Sequence, residues 1–187
     1  MLRVAIIIGS TRPGRKGEAV ARWVFDEATK RGDAQYELVD IADYRLPLLD
    51  EPNPPFMGNY TQSHTKTWAA KIASFDAFIF VTPEYNHGIA GALKNAIDFL
   101  YAEWNNKAAG FVSYGGVGGT RAVEQLRLVM AELQIADVRA QVALSLATDF
   151  ENYTTFKPAP YHAKSLGTLF DQVRAWGTAL RGVRRAG

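Results

Sequence analysis

The sequence predicts an α/β protein in three layers, with a five-stranded parallel sheet in the order 2-1-3-4-5 between two layers of helices. Three observations lead there. Five short β-type runs alternate with segments of helical periodicity. The first, third and fourth runs are nearly continuous in apolar residues, as suits strands covered on both faces. The loops after those same three runs are rich in glycine and polar groups.

Arg3 to Ile8 is a β-branched run that ends at Gly9. From Gly17 to Arg31, Val20, Trp23, Val24 and Ala28 recur at helical spacing, and Gly32 closes the element. Tyr36 to Ile41 is the second strand; Glu37 and Asp40 interrupt its apolar residues, as an edge strand permits. A loop from Ala42 to Ser63 with Pro47, Pro52, Pro54 and Pro55 precedes a short helix around Trp68 and Ile72. Ala77 to Val81 is the third strand, and Thr82-Pro83 cannot continue into a helix. A helix begins near Ala92, where Leu93, Ala96, Ile97, Leu100, Tyr101 and Trp104 form a wide apolar stripe.

Ala108 to Tyr114 is the fourth strand, and Val123, Leu126, Met130 and Leu133 mark the next helix. Val138 to Leu144 alternates with Arg139 and Gln141 and reads as the second edge. Leu166, Leu169, Phe170, Val173, Trp176 and Leu180 belong to the last helix, whose Arg181, Arg184 and Arg185 read as a solvated end. In this order the winding reverses between strands one and three, and the crevice there is the expected ligand site.

Composition narrows the chemistry. The 187 residues, taken as one domain spanning 1–187, are 48% hydrophobic and 21% charged with a net charge of +2, which speaks against a nucleic-acid partner. Without cysteine there is no disulfide, thiolate nucleophile or sulfur metal site. His64, His87 and His162 lie too far apart to show metal-ligand spacing. The opening run is a strand pattern rather than a leader, and no apolar segment has transmembrane length, so a cytoplasmic protein is expected.

The first loop, Gly9-Ser10-Thr11-Arg12-Pro13-Gly14-Arg15-Lys16-Gly17, joins a strand to a helix. Free N–H groups and the positive dipole end of a helix favour phosphate there, and Arg12, Arg15 and Lys16 add charge. Neither G-x-x-x-x-G-K-[ST] nor G-x-G-x-x-G is present, which weighs against Walker-type and dinucleotide sites. Pro83-Glu84-Tyr85-Asn86 offers a carboxylate, a phenol and an amide. Ser113-Tyr114-Gly115-Gly116-Val117-Gly118-Gly119-Thr120 has four glycines in five positions, where backbone can approach a ligand. A phosphate at the first loop and a flat heteroaromatic ring at the other two describe a mononucleotide such as FMN.

On these residues, together with Gly91-Ala92-Leu93-Lys94-Asn95-Ala96-Ile97-Asp98, the sequence resembles the NADPH-dependent FMN reductase family, whose fold is flavodoxin-like. The resemblance covers nearly the whole chain and weakens after Leu144. It implies FMN with its phosphate at Ser10, Arg12, Arg15, Lys16 and Gly17, and its ring against Pro83 to Asn86 and Ser113 to Gly116. Many relatives have serine where Arg15 stands and asparagine where Gly17 stands, so Arg15 and backbone amides are expected to replace those donors.

The implied reaction passes hydride from NADPH to FMN and on to a quinone, azo compound, flavin or other small-molecule acceptor. The cofactor carries the chemistry, so no catalytic acid or base is assigned. Glu84 is expected as a helix cap or subunit contact, and His87 as a solvent-facing loop residue. The alternative is a flavodoxin-type FMN electron carrier without NADPH oxidation; a basic pI of about 8.8 weighs against it. A receiver domain would need an aspartate where Val81-Thr82 stands, and Ser113 lacks the G-x-S-x-G elbow of a hydrolase. The wide stripe through Tyr101 and Trp104 and the aromatic loops 42–63 and 145–162 predict a homodimer, or a homotetramer made of two; the alternative is that Tyr101 and Trp104 pack beneath those loops within one chain.

Overall fold

The computed structural model describes residues 1–186. Five parallel strands, β1 (Arg3–Ile8), β2 (Gln35–Asp40), β3 (Ala77–Tyr85), β4 (Ala108–Gly115) and β5 (Ala136–Ser145), form a sheet in the order β2-β1-β3-β4-β5. The helices are α1 (Gly17–Thr29), α2 (Ser63–Ala73), α3 (Gly91–Asp98), α4 (Thr120–Glu132) and α5 (Tyr161–Ala186). None of these helices is long and apolar enough to cross a membrane.

Alternation along each strand divides the core in two. Val4, Ile6, Ile8, Ile79, Val81 and Val112 face α1 and α5. Ala5, Ile7, Phe78, Phe80 and Phe111 face α2, α3 and α4, meeting Trp68, Ile72, Leu93, Ile97 and Leu126. Both edge strands, read from their polar residues, stand where expected.

Four local expectations need correction. The second strand lies one residue earlier than Tyr36 to Ile41. The third does not end at Val81. It pairs with β4 as far as Pro83–Tyr114, reaches Tyr85, and folds back so that Gly88 and Ile89 pair with Tyr85 and Glu84. The residue before a proline prefers extended backbone, so Thr82-Pro83 blocks a helix while favouring a strand. Asn86 (φ 49°) and His87 (φ 66°) make the tight reversal, both with the positive φ that short hairpins require.

The third correction concerns α3, which ends at Asp98 and does not carry its stripe to Trp104. Trp104 is fully buried in its own chain, 4.9 Å from the Phe78 ring, with Nε1 donating to Ile97 O at 3.1 Å. It cannot therefore be an interface residue; a side chain that fills core space recruits itself to the core wherever the helix stops. Fourth, the basic end of α5 is tied down. Arg184 donates to Asp76 and to Asn106 O, each at 2.6 Å, and Arg181 pairs with Asp76 and donates to Met1 O at 2.8 Å.

Beside that cluster Lys107 is only 4% exposed. Its Nζ donates to Ile72 O (2.9 Å) and Ala73 O (3.3 Å) at the end of α2. Burial, reinforced by Arg184, lowers its pKa to about 8, against about 10.4 in an unfolded chain. Between those values the unfolded state holds more protons, so this lysine's contribution to stability rises with pH. Thermal melts should show the parent protein gaining stability relative to Lys107→Met between about pH 8 and pH 10. A difference that is flat or of opposite sign would contradict the burial of the charged form.

Candidate functional site

The cleft lies where β1 and β3 part. Gly9 N still donates to Val81 O at 2.8 Å; beyond it the first loop turns away into α1 while β3 runs on to Tyr85. Two hollows flank this point. One, of about 190 Å³, is walled by Arg12 to Lys16 of the first loop (Pro13 aside), by Pro83 to Tyr85, by Tyr114 and Gly115, and by Leu146. The other, of about 400 Å³, lies between Thr11, residues 41–46 and the start of α3.

The sequence-predicted residues converge here. Arg12, Arg15, Lys16, Pro83, Glu84, Tyr85, Tyr114 and Gly115 line the smaller hollow directly. Ser10 is buried beside them, with Oγ 2.9 Å from Tyr85 Oη. Gly17 opens α1, whose N-cap Lys16 makes no side-chain cap bond, and a helix start of this kind favours an anion. Asn86 and Gly116 are exposed at the rim. Ser113 lies deeper, its Oγ donating to Gly118 O at 2.6 Å.

Arg15 is engaged differently from Arg12 and Lys16. Its guanidinium pairs with Asp40 at the end of β2 and with Glu18 at 2.6 Å, and it also donates to Ser10 O. Its side chain is 10% exposed, and it spans the first loop from inside. Arg12 is exposed and Lys16 half-buried, and neither shares in the ion pairs that hold Arg15.

Glu84 joins the second loop to the third. Its Oε2 accepts Arg121 N at 3.0 Å and its Oε1 accepts Arg121 Nε at 2.6 Å. Gly119, the N-cap of α4, has no side chain, so a carboxylate from a neighbouring strand supplies the cap. Burial alone would raise the Glu84 pKa; the bonds from Arg121, side chain and backbone, outweigh it and hold it below the usual carboxylate value. The helix-cap reading of Glu84 is what the geometry shows. The turn before α4 needs glycine at Gly119: at φ 73°, a Cβ there would come within 2.9 Å of Ser113 Cβ and Tyr114 N.

Three residues organise the cleft in roles that the sequence reading did not assign to them. Asp40 holds Arg15, Arg121 holds Glu84, and Asn95 clamps the long proline-rich loop. Its Oδ1 accepts Leu49 N at 3.0 Å and its Nδ2 donates to Pro47 O at 2.7 Å. Each partner lies at least 25 residues away, so no local pattern marks the pair.

A doubly wound sheet with a polar cleft at its winding reversal defines a flavodoxin-like α/β protein. Residues 2–149 match the family model described as NADPH-dependent FMN reductase, and the chain belongs to that family. It is thus an oxidoreductase with FMN and NAD(P)H as cofactors. Among its relatives is an NAD(P)H-dependent FMN reductase of Schizosaccharomyces pombe, 42% identical over 169 residues that cover 89% of this chain and 84% of that protein. A quinone reductase of Pseudomonas putida is 32% identical over 78% of this chain and 81% of its own length. Among solved structures, the flavoenzyme NAD(P)H:(acceptor) oxidoreductase FerB from Paracoccus denitrificans superposes with a TM-score of 0.73 at 22% identity. That match covers 96% of this chain and 98% of FerB, and shows the shared fold.

The Glu84 bridge has a measurable consequence. Glu84→Gln keeps an acceptor but loses the ion pair and one cap bond, and should cost about 1–3 kcal/mol at neutral pH. Since the folded carboxyl is depressed, its contribution is present above the unfolded value and lost as pH falls through the folded one. Urea denaturation should therefore show the two proteins converging below about pH 4. A constant gap down to pH 3 would contradict the assignment.

Proposed function

We propose that this chain is an FMN-dependent oxidoreductase that takes hydride from NADPH and delivers it to a quinone, azo compound, free flavin or similar small acceptor. The observation that carries the reading is the meeting of an uncapped helix start bearing Arg12 and Lys16 with the Pro83–Tyr85 and Tyr114–Gly115 walls in one cleft. The fit to FMN rests on those donors: charge and free N–H groups at one end, backbone and an apolar surface at the other.

FMN, when bound, supplies the hydride chemistry. The protein's part is placement. Arg12, Lys16, Ser10 and the start of α1 at Gly17 hold the phosphate. Arg15, anchored on Asp40, keeps the loop in shape. Pro83 to Asn86 and Ser113 to Gly116 orient the ring and keep water from one of its faces. Glu84 fixes the spacing between those two segments through α4, and no side chain is needed as acid or base.

A titration with FMN, read by quenching of flavin fluorescence, should saturate at about one FMN per chain. Consumption of NADPH with a quinone should follow FMN loading. A parent protein that binds no flavin overturns the reading, and one that binds FMN without oxidising NADPH is an electron carrier instead. Arg12→Ala should weaken FMN about 10- to 100-fold, the loss of a charged hydrogen bond, with little change in melting temperature because the side chain is exposed. Equal affinity removes Arg12 from the phosphate site.

We also propose a two-fold assembly, now carried by the proline-rich loop rather than by Trp104. Leu48, close in the chain to Leu46 of the larger hollow's wall, is 85% exposed, and Phe56 is 68% exposed with Met57 beside it; a second copy covering this loop would wall the cleft. Light scattering should give a multiple of 20.6 kDa. A single-chain mass at micromolar concentration would end the proposal.

A further inference from the structure

Tyr114 was expected at the ring, among backbone-rich neighbours. Its hydroxyl lies at the other end of the cleft. A Cβ placed on Gly17 would stand 2.8 Å from Tyr114 Oη and 3.6 Å from its Cζ. The phenol oxygen therefore occupies the space in which a side chain at the first residue of α1 would begin. It faces the Gly17 amide and the Ser10 hydroxyl, and Ser10 in turn meets Tyr85. Tyr114 is 6% exposed and Ser10 1%, and the Tyr114 ring packs against Phe150 with centroids 6.4 Å apart. Burial raises the phenol well above its ordinary pKa, so it remains a neutral O–H donor at every physiological pH.

We propose that the Tyr114 hydroxyl is a donor to the phosphate of FMN, supplied from β4 in place of a side chain at position 17, and that Gly17 and Tyr114 form a coupled pair. The inference rests on the reading that this cleft takes FMN. Three points support it. Lys16, the N-cap of α1, makes no side-chain cap bond, and the dipole and N–H groups of this helix start favour an anion beside the phenol. The phenol reaches that start from a rigid strand, with its ring held by Phe150. And glycine at position 17 is required not by its backbone, which is helical, but by the oxygen that stands where its Cβ would be.

The pair makes an unusual demand on mutants. Gly17→Ala alone should lower both apo-protein melting temperature and FMN affinity, because a Cβ at 2.8 Å from an oxygen forces one of them to move. Tyr114→Phe removes that oxygen and leaves an ordinary contact of 3.6 Å to the ring carbon. In the Tyr114→Phe background Gly17→Ala should therefore be nearly neutral for stability, a non-additivity that contact between the two sites produces.

The test compares FMN with riboflavin, which lacks the phosphate, by fluorescence quenching, together with apo-protein melts. Tyr114→Phe should weaken FMN about 10-fold or more, leave riboflavin affinity unchanged, and shift the melting temperature little. Gly17→Ser combined with Tyr114→Phe should restore part of the FMN affinity by returning a hydroxyl to the same space. If Tyr114→Phe weakens both flavins equally, the hydroxyl serves the ring or the fold and the inference falls. If FMN affinity is unchanged, it falls too, while the FMN reading stands. A parent protein that binds neither flavin would overturn that reading and this inference with it.

Discussion

The last rung between β1 and β3, from Gly9 N to Val81 O, is the constraint on which the rest depends. Up to that bond the two strands are central, covered on both faces and locked in register from Val4–Ala77 to Ile8–Val81. Past it they separate, because β1 must feed a helix on one face while the connection after β3 feeds helices on the other. The backbone groups set free by that divergence, together with the uncapped start of α1, make the cleft. Gly9 itself leaves no room for a side chain, since a Cβ would sit 2.9 Å from Val81 O and from Leu93. The crevice is a topological consequence of a well-packed sheet, and the core supports it directly.

What keeps the three loops at fixed distances is polar. Arg15 ties the first loop to the end of β2 through Asp40, and Glu84 ties the β3 hairpin to α4. Asn95 ties α3 to the proline-rich loop. The Arg15–Asp40 and Glu84–Arg121 bonds are partly shielded from water, whereas those of Asn95 are exposed, as is the Lys157–Glu151 ion pair, whose side chains are 72% and 55% exposed. Exposed pairs contribute about 0–1 kcal/mol, whereas shielded hydrogen bonds to charged groups contribute about 1.5–3 kcal/mol. The loops are therefore preorganised, and a bound cofactor loses less affinity to ordering them.

The limits of sequence reading show at particular residues. Trp104 has the right spacing for α3's stripe, and periodicity cannot tell that the helix has already ended six residues earlier. Once the chain turns, the largest apolar side chain in reach fills the gap among Trp68, Phe78 and Phe80. Arg184 looks like a solvated tail because its partners, Asp76 and Asn106, lie 108 and 78 positions away. Pro83 looks like a break because proline interrupts helices, yet the same restriction favours extended backbone.

The sequence by itself determined the fold class, the strand order and the three loops that converge. Those depend on apolar runs, period and glycine placement, which are local properties, and on the handedness rule that turns them into one topology. Only the tertiary structure decided which charged group faces the cleft and which one braces it. Arg12 and Arg15 stand three residues apart in one basic loop, but β2 brings Asp40 to one of them and not the other. Likewise the sheet, not the chain, sets the Tyr114 hydroxyl against Gly17. Such pairings arise where strands far apart in sequence lie side by side, and no spacing along the chain encodes them.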